Sequence, residues 1–212
     1  MACGSLGGYN KAVTEVRTET TAGKRARFEK LAMPVVDALY RQAMKLTNDP
    51  DEMIELAREV RPDILHIAGD GYAADEAFAA RLKEAAPNTK LMQAVLVDDE
   101  SAVDRAKKYA QYCDLILTDS GLAPDTGIGA SGLTHDWSID ARIVAECGKP
   151  VIMAGGLGPD NVAEAIEQCK PYGVDSLTKT SIKYDGGYME KDIDKVRQFC
   201  INADAAAAKI GQ

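Results

Sequence analysis

Paired glycines after an apolar run are the first feature of this chain with chemical meaning. Gly155 and Gly156 follow Met153 and precede a stretch that Pro159 can open as a helix. Glycine lets a backbone approach an oxyanion closely, and a helix N-terminus attracts negative charge. Upstream, another apolar run ends on the carboxylate of Asp119. A carboxylate and a phosphate cradle at the ends of successive strands together predict sugar-phosphate chemistry.

A glycine-rich stretch lies between these two features. It runs from Gly127 to Gly132, and the sequence His135-Asp136-Trp137 follows shortly after it. We expect Gly132 to approach a bound substrate. Asp136 and Trp137 are expected to be structural, with Trp137 sealing a rim at the start of a helix, and His135 is expected to be exposed.

Short apolar strands alternate with helices from about Asn48 onward, where Asn48-Asp49-Pro50 can cap a helix. The pattern predicts strands over Asp63–Ala68, Lys90–Val97, Leu115–Asp119, Val151–Ala154 and Val174–Thr178. It predicts helices over Ala73–Ala86, Asp99–Tyr112, Ser138–Cys147, Pro159–Cys169 and about Lys191–Lys209. Such alternation implies an α/β fold with parallel strands.

An open doubly wound sheet and a closed barrel both fit this alternation. In an open sheet the site gathers at one switch point, whereas in a barrel every strand ends at one common mouth. Here residues with chemical potential follow several consecutive strands. The (β/α)8 TIM-type barrel is therefore the favoured architecture.

Composition mainly excludes classes of protein. With 212 residues, 46% of them hydrophobic, the chain can form one domain. A net charge of −8 argues against a nucleic-acid or anionic membrane partner. No apolar run reaches the about 18 residues of a membrane span. Five scattered cysteines, without metal-ligand spacing, are typical of a cytoplasmic protein and predict no metal site.

The order and spacing of three motifs resemble the phosphoribosylanthranilate isomerase family. That family has a strand ending in Leu-Asp-Ser, a Gly-Gly-Thr-Gly-Lys loop before Asp-Trp, and Ala-Gly-Gly-Leu followed by Asn-Val. The corresponding segments here are Thr118–Ser120, Gly129–Trp137, Ala154–Leu157 and Asn161–Val162. Gly173-Val174-Asp175 and the closing helix fit its eighth strand and C-terminus, and a weaker similarity extends back to about Thr47.

The resemblance implies an Amadori rearrangement in tryptophan synthesis, in which an aminoaldose phosphate becomes an aminoketose phosphate without a cofactor. An acid must protonate the ring oxygen and a base must remove the proton at C2. By resemblance the acid is Asp119 and the base is a cysteine at the end of the first strand. The phosphate is expected on backbone N–H groups at Gly155 and Gly156 and at the Thr178–Lys179 turn.

The N-terminal segment leaves two registers open. Ala2-Cys3-Gly4 matches the family's Ile-Cys-Gly, which would make Cys3 the base, yet residues 1–41 are too short for the elements that should follow. In the favoured alternative, Met1–Leu6 is the remnant of the second strand and the first βα unit is missing. We therefore divide the single domain into an atypical part, 1–41, and recognisable βα repeats, 42–212. A barrel lacking a strand leaves an edge that invites association, so a homo-oligomer is one expectation.

Three positions depart from the family pattern. Leu133 replaces the loop lysine, Lys179 replaces a glycine of the eighth strand, and Ala68 replaces a histidine, with His66 two residues before it. Lys179 could contact the phosphate or a substrate carboxylate directly. His66 could face the barrel interior as a site residue.

Two further residues are candidates for substrate contacts. Arg17 could supply the cation that an anthranilate carboxylate needs, although an exposed arginine is the default in this polar stretch. Asp175 could orient substrate or hold the barrel floor.

Two alternative functions remain consistent with the sequence. One is a divergent paralogue acting on another small sugar phosphate as isomerase, epimerase or aldolase, with Lys179 forming a Schiff base. The other is a non-catalytic barrel that binds a phosphate ligand.

Overall fold

The computed structural model describes residues 49–68, 72–123, 127–128, 134–184 and 189–211. Three predicted site residues, Cys3, Arg17 and Gly132, lie outside the described residues. So does the whole segment 1–41, together with the question of which strand it contains.

A five-stranded parallel sheet organises the described part of the chain. Its strands are β1 (Ile64–Ile67), β2 (Lys90–Leu96), β3 (Leu115–Asp119), β6 (Val151–Met153) and β7 (Gly173–Val174), paired in the order β1-β2-β3-β6-β7. Two antiparallel hairpins accompany the sheet: β4 (Leu122–Ala123) with β5 (Gly127–Ile128), and β8 (Ser181–Lys183) with β9 (Met189–Lys191). Because the five strands are parallel, all their carboxyl ends lie along one edge.

Helices follow the strands in alternation. They are α1 (Pro50–Val60), α2 (Glu76–Ala85), α3 (Ser101–Tyr109), α4 (Trp137–Glu146), α5 (Val162–Cys169) and α6 (Ile193–Ile210). Aspartates cap four of them by accepting backbone N–H bonds of the first turn: Asp49, Asp75, Asp136 and Asp192. No helix among these described elements is both long and apolar enough to cross a bilayer.

The two faces of the sheet carry different side chains, because successive residues of a strand point to opposite faces. One face packs against the helices through a cluster that includes Leu91, Val95, Ile116 and Val151. The other face is a smaller buried cluster of Met92, Ala94, Leu115, Leu117, Ile152 and Ala154. Asp119 lies two residues beyond Leu117 and therefore belongs to this second face, which we call the inner face.

Most predicted elements agree with the structure to within three residues, and β3 has the predicted bounds. The strand predicted over Val174–Thr178 is an exception, because the strand ends at Val174 and residues Thr178–Thr180 form a 3-10 turn. The hydroxyl of Ser176 donates to the carbonyl of Leu157 at 2.7 Å, which turns this segment toward the loop after β6. The two hairpins were not predicted, because their strands are only two or three residues long.

Candidate active site

Asp119 ends β3 on the inner face and is only partly exposed. Its Oδ1 accepts the backbone N–H of Ser120 at 2.7 Å. Burial raises the pKa of the Asp119 carboxyl, and the negative charges of Asp175 and Asp140 add to the rise, while the Ser120 N–H and His135 oppose it. A raised pKa keeps the carboxyl protonated to higher pH, which is what a general acid requires.

Two other predicted site residues share the inner face with Asp119. His66 pairs in register with Met92, and Met92 with Leu115, so His66 points to the same side of the sheet. Asp175 follows β7, and its N–H donates to the carbonyl of Met153 at 2.9 Å. Asp175 interacts electrostatically with both Asp119 and His66. The three side chains therefore share the inner face, and Asp175 interacts with each of the other two.

The pKa of the His66 imidazole is lowered, because protein atoms around the ring disfavour the charged form, and Asp175 only partly opposes this effect. The residue itself remains exposed at the strand end. A lowered pKa leaves the imidazole neutral at pH 7, a state in which a ring nitrogen can accept a proton.

The glycine turn after β6 has the conformation that the sequence implies. Gly155 and Gly156 have φ of 88° and 65°, a region that L side chains rarely adopt. The side chain of Asn161 closes the turn, since its Nδ2 donates to the carbonyl of Gly156 at 3.1 Å and its Oδ1 accepts the N–H of Gly158 at 2.7 Å. The N–H of Ala154 donates to the carbonyl of Thr118 at 2.8 Å, which joins the turn to the strand that carries Asp119.

The segment after β7 packs against this glycine turn. A Cβ built on Gly158 would lie 2.8 Å from Cβ of Lys179, so only glycine allows the close approach. Lys179 is exposed, and Thr178 is partly buried beside it. Thr178 and Lys179 therefore lie next to the predicted phosphate turn.

Lys191, at the end of β9, was not identified from the sequence. Its Nζ donates to the carbonyl oxygens of Ser176 and Leu177 at 3.3 and 3.1 Å and to Oγ1 of Thr180 at 3.0 Å. These contacts fix the segment that precedes and contains Lys179. A lysine in a polar stretch gives no sequence signal for such a role.

His135 is not exposed, contrary to the prediction. Its side chain is 7% exposed, and Nε2 contacts Oδ2 of Asp140, which is completely buried on α4. The other oxygen of Asp140 accepts the hydroxyl proton of Thr118 at 2.5 Å. Burial of His135 follows from this partner, since a buried carboxylate is retained where it is paired and hydrogen-bonded.

Asp136 and Trp137 make structural contacts, while the sealing of a rim by Trp137 stays a prediction. Asp136 caps α4 by accepting the N–H of Ser138 at 2.9 Å, and Trp137 packs against the cluster that includes Met153 and Leu157. The ring of Trp137 therefore lies on the helix side of the sheet.

Similarity to known proteins agrees with this geometry. A family model described as N-(5'-phosphoribosyl)anthranilate (PRA) isomerase matches residues 9–202. The chain is also 36% identical over 186 residues to an N-(5'-phosphoribosyl)anthranilate isomerase of Haloferax volcanii, covering 88% of this chain and 78% of that protein. The chain belongs to the PRA isomerase family.

Solved structures of PRA isomerases resemble the described fold. The enzyme of Thermotoga maritima superposes with a TM-score of 0.57 at 25% identity, covering 74% of this chain and 68% of that one. The enzyme of Thermococcus kodakaraensis gives 0.54 at 26% identity, covering 74% and 70%. These similarities confirm the family resemblance and the α/β, TIM-type barrel prediction.

The base that the PRA isomerase resemblance assigns, Cys3, lies outside the described residues. Burial raises the pKa of the Cys113 and Cys169 thiols to about 12, which makes both of them poor proton acceptors at neutral pH. Cys147 is also buried, and Cys200 is partly buried on α6. Within the described ranges, no group of histidine, cysteine and carboxylate side chains could hold a metal ion.

Proposed function

We propose that this chain catalyses the cofactor-free Amadori isomerisation of phosphoribosylanthranilate, with Asp119 as general acid. Membership of the PRA isomerase family supports the reaction. The observation that carries the assignment of roles is a carboxyl of raised pKa on the inner face, one strand away from a glycine turn with positive φ. The carboxyl suits proton donation, and the glycine turn suits the binding of a phosphate.

In the proposed reaction, Asp119 protonates the ring oxygen of the aminoaldose phosphate as the C1–O bond breaks. A base then removes the proton at C2 of the resulting iminium ion, and the enolamine that forms tautomerises to the aminoketose phosphate. The backbone of Gly155 and Gly156 would hold the phosphate, because positive φ and the lack of Cβ let N–H groups approach an oxyanion. Asp175 would orient substrate hydroxyls beside Asp119. Its charge also helps to raise the pKa of Asp119.

Two candidates for the base are separated by one experiment. Cys3 is the residue implied by the family resemblance, and His66 is an imidazole of lowered pKa on the inner face. Turnover of freshly generated phosphoribosylanthranilate should be measured for the wild type, Cys3→Ala and His66→Gln. Loss of about 10²-fold or more in kcat for one variant identifies the base, since general bases contribute on that scale. A folded wild type without turnover would refute the proposed function.

Lys179 is proposed to add a cation to the phosphate site. Replacing it by glutamine is expected to raise KM several-fold and leave kcat almost unchanged, because an exposed lysine contributes about 1 kcal/mol or less to an ionic contact. KM should be measured at low and high salt, where the difference from wild type should shrink. Lys183→Gln is the matched control, because Lys183 is an exposed lysine of the neighbouring strand β8. Equal KM for wild type and Lys179→Gln at low salt would contradict the assignment.

Arg17 and Gly132 remain proposed substrate contacts, for the anthranilate carboxylate and the loop respectively. The proposed partner is a small sugar-phosphate molecule, and a cytoplasmic location, a single domain and homo-oligomerisation remain predictions.

One structural neighbour is described as a complex of PRA isomerase with reduced 1-(o-carboxyphenylamino)-1-deoxyribulose 5-phosphate. We propose the same compound as a probe for this chain, because it carries both a phosphate and an anthranilate carboxylate.

A further inference from the structure

The buried side chains of Thr118, Asp140 and His135 form a series of contacts that has no part in the proposed proton transfers. Thr118 and Asp140 are fully buried, and the carboxylate of Asp140 contacts the hydroxyl of Thr118 on one side and Nε2 of His135 on the other. Thr118 precedes Asp119 on β3, whereas Asp140 lies on α4. This series of contacts therefore links β3, which carries the proposed acid, to α4.

His135, the last residue of this series, reaches the glycine turn. A Cβ on Gly155 would lie 3.0 Å from both Nδ1 and Cε1 of His135 and 2.6 Å from Oγ of Ser120. The imidazole thus lies directly against the first residue of the turn. Nδ1 is buried and has no hydrogen-bond partner among the residues that the structure describes. A polar atom in that state is costly unless a ligand or a small shift of the neighbouring backbone supplies a partner.

We infer that His135 is a positioning residue of the phosphate site: Thr118 and Asp140 hold its ring, and the ring sets the position of the Gly155 turn relative to Asp119. The inference rests on the proposed function of the turn as a phosphate cradle. It explains why a fully buried carboxylate is placed on α4, since Asp140 fixes the orientation of the imidazole by accepting from Nε2. The distance from phosphate to acid then depends on two hydrogen bonds and one ring.

A displaced turn should weaken phosphate binding more than it slows proton transfer, because Asp119 stays on its strand. A displacement of about 1 Å in a group that positions the substrate can lower the rate of an enzyme on the order of 10²-fold. We therefore expect His135→Ala to raise KM by about tenfold to hundredfold. We expect the same rise in the Kd for inorganic phosphate and for the analogue, the reduced 1-(o-carboxyphenylamino)-1-deoxyribulose 5-phosphate proposed above as a probe. His135→Gln should recover part of the loss, because an amide can still donate to Asp140.

The control is a second buried polar side chain, on a strand two positions away from β6 in the sheet. Gln93 is fully buried on the helix side of β2 and accepts the N–H of Ala74 at 2.9 Å. Gln93→Leu should lower the melting temperature without changing the Kd for phosphate, and His135→Ala should lower both the melting temperature and the affinity. A purely structural role for His135 would make the two variants behave alike.

Calorimetric titration with phosphate and with the analogue separates this inference from the proposed function. Weaker binding by folded His135→Ala supports the inference even if the wild type does not turn over substrate, which would refute the proposed function alone. Wild-type affinity and KM in folded His135→Ala would overturn the inference while turnover stands. If His135→Ala does not fold, the two single variants His135→Gln and Asp140→Asn take its place. Wild-type affinity for phosphate in both of them would overturn the inference. A wild type that binds neither probe overturns it as well.

Discussion

Asp119→Asn is expected to lower kcat by about 10²–10⁴-fold, the usual contribution of a positioned general acid. Asparagine keeps the oxygen that accepts the N–H of Ser120 at 2.7 Å but has no proton to transfer. KM should change little, because the proposed phosphate turn lies on another strand. Steady-state turnover of phosphoribosylanthranilate measures both constants. A kcat within threefold of wild type would remove Asp119 from the acid role.

Folding stability provides an independent check on the same variant. The pKa of Asp119 is raised by burial, so the folded state holds this proton more tightly than the unfolded state. Stability from this group is then fully present below the unfolded pKa and is lost as pH rises through the folded pKa. Asp119→Asn removes that loss, so its free energy of unfolding at pH 7 should equal or exceed that of wild type.

Urea unfolding of wild type and Asp119→Asn between pH 4 and pH 7 tests the direction in which the free energy of unfolding changes with pH. Wild type should lose stability relative to Asp119→Asn as the pH increases across this range. Asp204→Asn, an exposed position on α6, is the control and should parallel wild type. A variant that is markedly less stable than wild type at pH 7 would mean that the carboxylate is stabilised by contacts and that the pKa is not raised.

The order of strands and helices was predictable because each depends on a local pattern. The run Leu115–Leu117 is apolar, is followed by polar residues and is buried in the sheet, so the bounds of β3 were predicted correctly. The strand predicted to reach Thr178 was wrong because Ser176 and Lys191 contact segments distant in sequence. A β-branched residue such as Thr178 favours a strand locally, and those tertiary contacts override that preference.

The candidate site divides in the same way. Asp119 and the paired glycines were predicted because a strand end, a carboxylate and a turn are adjacent in sequence. The burial of His135 depends on Asp140, which in turn contacts Thr118 across 22 positions of the chain. Its sequence neighbours Thr134 and Asp136 are exposed, so local polarity predicted an exposed histidine. A buried polar group is identified by its partner, and a single sequence does not reveal partners.

Gly155→Ala is expected to remove most phosphate affinity and to destabilise the fold. With φ of 88°, an L residue at this position carries backbone strain of about 1–3 kcal/mol. The added Cβ would also lie 2.6 Å from Oγ of Ser120 and 3.0 Å from the ring of His135. Neither side chain can retreat easily, because Ser120 is buried and His135 is held by Asp140.

Gly148→Ala isolates the strain from the steric clash. Gly148 has φ of 70°, close to that of Gly155, but a Cβ there would meet no atom within 4 Å. Both variants should lose stability through backbone strain, whereas only Gly155→Ala should lose affinity for phosphate and raise KM by about tenfold or more, as expected for a displaced binding group. If the two variants bind phosphate equally well, the turn is a structural corner, and the phosphate must be held by the segment containing Thr178 and Lys179.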